Sequence, residues 1–208
     1  MQKSASQLIP TLLLFLLPLS LVACDDDHGN YSFTFKGRTY EIVKDRKTWQ
    51  DAASYARKRG AKLVEINSAE EQNAIFYELT HDASVSPEYA SVTDGGGIAY
   101  LWIGATDKQK EGQWIWDGTN SGKGPVFWTG QGANGKGDGT ATNAAYIYWG
   151  GTSEDRCNEP DNYAGHQNAA AIALADWPKG AKALGHAGEW NDINESNKLY
   201  FVIEYVNK

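Results

Sequence analysis

The order of hydrophobic patterns leaves few folds open to this chain. Tyr31-Ser-Phe-Thr-Phe-Lys-Gly-Arg-Thr-Tyr-Glu-Ile-Val alternates apolar and polar residues around Gly37, which predicts a β-hairpin. Thr48-Trp-Gln-Asp51 is a capping box, and behind it Trp49, Ala52, Ala53 and Ala56 recur at helical spacing until Gly60 ends the helix. Residues 63–66 (Leu-Val-Glu-Ile) read as a short strand. Ser68-Ala-Glu-Glu71 is a second capping box, opening a helix whose buried stripe is Ile75, Phe76 and Leu79. From Pro87 onward the apolar stretches are short (100–103, 113–116, 145–149, 169–174, 199–205), and loops rich in Gly, Asn and Asp separate them. The pattern predicts an α+β fold of two helices with antiparallel sheets and long loops. Loops of that length in a compact domain usually serve binding.

The N-terminus has its own logic. Lys3 is a short positive region, and residues 8–22 are almost unbroken apolar sequence, interrupted by Pro10 and Pro18. That run is too short to span a bilayer comfortably and reads as the core of a signal peptide. It ends in Leu21-Val22-Ala23-Cys24, which resembles the lipobox of bacterial lipoproteins. The resemblance implies a signal peptide over 1–23, a lipidated Cys24 with a polar tether over 24–30, and one exported domain over 31–208. The chain would then sit in the bacterial cell envelope, on the inner or outer membrane, held by several acyl chains. Asp25 resembles the inner-membrane retention signal of some bacteria. An ordinary secreted protein with a cysteine after the leader is the alternative.

Charge and cysteine count narrow the partners. The formal net charge is -7 with no basic run, which argues against nucleic acid and anionic headgroups, and leaves the anchor as the expected membrane contact. Once Cys24 carries lipid only Cys157 remains, so no intrachain disulfide is available and the core must hold the fold. Cys157 is expected to be buried, or to pair between chains.

Two loops carry concentrated oxygen chemistry: Asn158-Glu-Pro-Asp-Asn162 and Gly188-Glu-Trp-Asn-Asp192. Calcium is a hard cation that takes six to eight oxygens from carboxylates, amides and backbone carbonyls, and Glu159, Asp161, Asn191 and Asp192 supply that chemistry. Either loop alone reads equally well as a polar turn. Together with the first helix and its following strand, the Ser68-Ala-Glu-Glu-Gln-Asn helix start, Leu101-Trp-Ile-Gly-Ala-Thr-Asp, Gly112-Gln-Trp-Ile-Trp-Asp-Gly and the closing Tyr200-Phe-Val-Ile-Glu-Tyr, they resemble the C-type lectin family in order and over nearly the whole mature chain. The resemblance implies a calcium site of Glu159, Asp161, Gln167, Asn191 and Asp192, with Pro160 in the cis form. It also implies that a glycan on an envelope or host surface meets Glu159, Asp161, Gln167 and Asn191 around the metal, with no catalysis.

The chain departs from the family's common patterns in two ways. The mannose-type motif resembles Glu-Pro-Asn with a later Glu, and the galactose-type Gln-Pro-Asp; here Glu-Pro-Asp stands with Gln167. The Glu159/Asp161 side therefore offers acceptors only, and the Gln167/Asn191 side, with both amide oxygens on the metal, donors only. Neither sugar class transfers. Positions where the family usually places cysteines hold Ala56, Ala170 or a neighbour, and Ile203, so packing replaces the bridges.

Of eight tryptophans, Trp102, Trp114 and Trp116 fit core strands, while Trp128, Trp149 and Trp177 lie among loops and are expected at the surface as sugar-stacking platforms. His28, His81, His166 and His186 lack metal-ligand spacing. The glycine-rich stretch 130–142 lacks a Gly-Lys-Ser/Thr ending and reads as a flexible surface loop. Two other functions stay open: a protein-binding module whose loops calcium merely orders, and a wall hydrolase using a carboxylate pair.

Overall fold

A computed structural model describes residues 29–130, 139–151, 158–181 and 184–206. The hairpin forms as expected, from β1 (Tyr31–Phe35) and β2 (Arg38–Lys47), with Gly37 in the turn at φ 78°. Helix α1 (Trp49–Lys58) starts where Thr48 caps the Asp51 amide, and it buries Trp49, Ala52, Ala53 and Ala56. Strand β3 (Ala61–Leu63) pairs with the C-terminal strand, so the strand expected over 63–66 forms two residues earlier and shares only Leu63. Helix α2 (Ala69–Thr80) is capped by Ser68, and Ile75 and Leu79 are buried as expected, with Phe76 packed at the core's edge.

The remaining strands are β4 (Tyr100–Thr106), β5 (Gln113–Trp116), β6 (Val126–Gly130), β7 (Gly139–Ala141), β8 (Ala169–Ala173), β9 (Trp190–Ile193) and β10 (Leu199–Tyr205). One sheet runs β1-β2-β10-β4-β5-β6-β7, and β8 joins β4 to β9. Antiparallel pairing was expected throughout; β10 and β4 instead run parallel at Tyr200↔Leu101 and Phe201↔Trp102. The chain's last strand thus lies between its second and fourth, which ties both ends of the described chain into one sheet.

Two hydrophobic clusters flank the sheet. One joins α1 to β10 and holds Ala56 and Ile203, both fully buried; the other holds Ala170. The places where bridges would stand are filled by tight apolar packing. Cys157 lies outside the described residues.

Three expectations need correction. Residues 145–149 form no strand: Trp149 alone makes a bridge to Trp190, while Tyr146 and Tyr148 pack against the core. The stretch 130–142 is not wholly loop, since β7 pairs with β6 at Gly130↔Gly139; residues 131–138 lie outside the described residues. Trp128, Trp149 and Trp177 are not at the surface, being 3%, 0% and 1% exposed. Trp149 stands edge-on to Trp114 and Trp190, so these rings satisfy one another instead of a sugar. Loop position in the sequence says nothing about which way an indole points. Trp102, Trp114 and Trp116 are buried on strands as expected. His81, His166 and His186 are exposed, and His28 lies outside the described residues.

Candidate functional site

Pairing of β8 with β9 brings the two acidic loops together. The register Ala170↔Asp192 and Ala171↔Asn191 sets β9 beside β8, directly after the loop that carries Glu159 and Asp161. Carboxylate oxygens of Glu159, Asp161 and Asp192 then lie within 4.8 Å of one another. Adjacent strand residues point to opposite sides. Asn191 accordingly lines a cavity of about 260 Å³ with Glu159, Asp161 and Gln167, while Asp192 does not line it. Asp192 is fully buried, and its two oxygens accept the backbone N–H groups of Asp161 (3.0 Å) and Asn162 (2.9 Å). That carboxylate ties the 159–162 loop to β9.

Each other member is held in turn. The Glu159–Pro160 bond is cis, as the family resemblance implied. Glu159 Oε1 accepts the indole N–H of Trp177 at 3.1 Å. Trp177 itself is wedged against Gly150 and Gly185, where an added Cβ would meet its ring at 2.4 and 2.2 Å. Gln167 donates from Nε2 to the Asp94 carbonyl (2.8 Å) and accepts the Tyr163 amide (2.5 Å). Asn191 donates from Nδ2 to the Tyr100 hydroxyl (2.9 Å), which donates to the Gly95 carbonyl (2.7 Å).

The charges are poorly satisfied by protein alone. Glu159 Oε2 and Asn191 Oδ1 are buried and have no hydrogen-bond partner among the described residues. No lysine or arginine among the described residues pairs with Glu159 or Asp192. Burial holds the Glu159 carboxyl well above the usual range, and the neighbouring Asp192 and Asp161 charges add to it. Burial, then the Asp161 charge, pushes Asp192 up to about 7. Such groups hold protons in the absence of a counter-ion and give them up to a cation. Three carboxylates, an amide oxygen with no other partner and the Gln167 oxygen form a donor set that suits a hard divalent cation.

Two contributions escaped the sequence reading. Asp107, just after β4, is 1% exposed; its Oδ2 accepts the Gly112 amide and its Oδ1 has no partner among the described residues. Burial pushes its pKa up to about 8, with Glu111 and Asp192 adding repulsion. The signal was an acid pair four apart, Asp107 and Glu111, in the loop behind the Trp-Ile-Gly strand. The second is Tyr163. It lines the same cavity and is 53% exposed, so the site's accessible aromatic face is a tyrosine just after Asp161 and not a tryptophan.

Comparison with known proteins agrees with the architecture. The family model described as "Lectin C-type domain" matches residues 45–166. The chain is similar to C-type lectin domain family 4 member M of Hylobates lar, 34% identical over 131 residues, 62% of this chain and 28% of that protein. It is also similar to hepatic lectin of Gallus gallus, 22% identical over 170 residues, 82% of this chain and 56% of that one. The chain thus spans between about a quarter and about half of these two relatives' length. The crystal structure of the C-type lectin CEL-I from Cucumaria echinata shares the fold, with a TM-score of 0.54 at 19% identity, over 89% of this chain and 99% of that one. The family model covers more than half of the 208 residues, and its fold is the one described above; the chain belongs to the C-type lectin domain family.

Proposed function

We propose that this chain is a calcium-dependent glycan-binding module, exported and tethered to the bacterial envelope through a lipid on Cys24. The observation that carries the binding reading is the pair of partnerless buried oxygens, Glu159 Oε2 and Asn191 Oδ1, in a cavity edged by like-charged carboxylates. Glu159, Asp161, Gln167, Asn191 and Asp192 would hold the ion. Calcium, when bound, supplies open positions that a sugar's vicinal hydroxyls can fill. The rim offers those hydroxyls acceptors above all, because Gln167 and Asn191 each give an amide N–H to protein. Tyr163 would cover the sugar's C–H face. The same carboxylates serve better as ligands than as a catalytic pair, and family membership supports a binding protein over an enzyme. The lipid anchor and bacterial envelope rest on the Leu21-Val-Ala-Cys24 leader alone, as the relatives named above are animal proteins.

One observation favours a second reading, a protein-binding module ordered by calcium. Glu159, Asp161, Gln167 and Asn191 are only 2%, 5%, 1% and 3% exposed, which leaves a sugar little of them to touch. A glycan array probed with calcium and with chelator separates the two. Chelator-sensitive sugar binding supports the glycan reading. A blank array, with calcium still raising the melting temperature, leaves the protein-binding module.

A further inference from the structure

We propose that a basic groove beside the domain's N-terminal exit seats it on the anionic phospholipid headgroups of the membrane that holds its anchor. The proposal rests on the lipid-anchor reading of Cys24. The net charge of -7 and the lack of a basic run argue against such a surface when the sequence is read linearly. Folding changes that. The register Leu199↔Lys47 sets Lys198 beside the end of β2, and α1 packs along the same region, which adds Lys58. A groove of about 320 Å³ results, where Arg46, Lys47, Lys58 and Lys198 surround Tyr55 and only one acid, Asp51, intrudes.

Most of that positive charge stays available. Asp51 accepts the Thr48 hydroxyl at 2.8 Å, a neutral partner, so it keeps its charge as the acid lining the groove against four cations. Arg46 donates to the backbone carbonyl of Tyr89, a neutral partner that leaves its charge uncompensated. Lys47 pairs with Asp45 and lies 5.5 Å from the Tyr55 ring centre. Lys58 and Lys198 are exposed and have no ion pair among the described residues. Acidic groups farther than roughly 8 Å are largely screened at physiological salt, so an approaching surface meets the local cations before the net charge.

Position then selects the partner. Asn30, where the described chain begins to pack, donates from Nδ2 to Glu41 Oε1 at 2.9 Å (a carboxylate that Arg59 pairs) and to the Tyr55 hydroxyl at 3.4 Å, and its Oδ1 accepts the Lys44 amide at 3.0 Å. Cys24 precedes Asn30 by six residues, a reach of roughly 20 Å at most. A lipid on Cys24 would hold Asn30 within that distance of the headgroups, with Tyr55 of the groove beside it, and each cation that reaches the surface strengthens attachment roughly 5-fold.

The described sheet and both cores lie within residues 31–205, and a piece that starts at Gly29 leaves out Asp25, Asp26 and Asp27, so it tests the groove alone. It is mixed in chelator and low salt with phosphatidylcholine vesicles, with or without about a third phosphatidylglycerol, and sedimented. The parent should bind the anionic vesicles only, and K58Q/K198Q should bind about 30-fold more weakly. Equal binding by the double variant, uptake by neutral vesicles, or no binding at low salt would overturn the proposal. Inorganic phosphate that raises the parent's melting temperature while vesicles are ignored would make this a free-anion site and also overturn it. Fatty-acid labelling of the full chain tests Cys24 separately, so loss of the anchor reading and loss of the groove are distinguishable.

Discussion

Replacing Asp192 with Asn removes one buried charge and almost no volume. In the metal-free protein Asp192 titrates near 7, against an ordinary 3.8. At acid pH the folded and unfolded chains both hold the proton. Between about 4 and 7 only the folded chain holds it, so stability falls as pH rises through that window. One proton over roughly three units amounts to about 4 kcal/mol lost from the metal-free parent by pH 8. Asparagine is neutral throughout, but it can accept only one of the two N–H groups that Asp192 now takes, at a cost of about 1 kcal/mol. Urea unfolding in chelator should therefore find the variant slightly less stable than the parent at pH 5 and more stable by up to about 3 kcal/mol at pH 8. Calcium should reverse the order at pH 8, because the parent gains binding energy and the variant has lost a charged ligand. A variant that is weaker than the parent at pH 8 in chelator, or that is stabilised by calcium as much as the parent, would refute the argument.

Gly185→Ala should lower the melting temperature and weaken calcium binding together, since its Cβ would meet the Trp177 ring at 2.2 Å and displace the indole that holds Glu159; an unchanged calcium titration would contradict this. Tyr163→Ala should cut glycan binding while leaving calcium affinity near that of the parent, as the ligand loop uses only the Tyr163 backbone; calorimetry with each ligand checks both halves. Thr48→Ala should cost about 1 kcal/mol in urea unfolding through loss of the α1 cap, with no effect on calcium. Asp161→Asn should gain affinity for mannose-like sugars by adding a donor to a rim whose Gln167 and Asn191 amides already donate to protein, and no gain on an array would sink that polarity argument.

Local grammar made much of this protein legible. Thr48 and Ser68 announced both helices because a cap is a contact between residues three apart, and Gln113–Trp116 and Leu199–Tyr205 form strands where their apolar runs lie. The oxygen-rich cluster was legible for a different reason: Glu-Pro-Asp and Trp-Asn-Asp carry unusual oxygen density, and the fold brings Glu159, Asp161 and Asp192 together. Long-range pairing decided the rest. Only the β8–β9 register says that Asn191 faces the cavity while Asp192 supports the loop behind it, since alternation cannot assign the faces until a partner strand exists. Only packing buries Trp128, Trp149 and Trp177 and leaves Tyr163 as the exposed ring. The raised pKa values of Asp107, Glu159 and Asp192 are mainly a tertiary property, because burial is the largest cause in each, with the sequence neighbours Glu111 and Asp161 adding their charge to the first two.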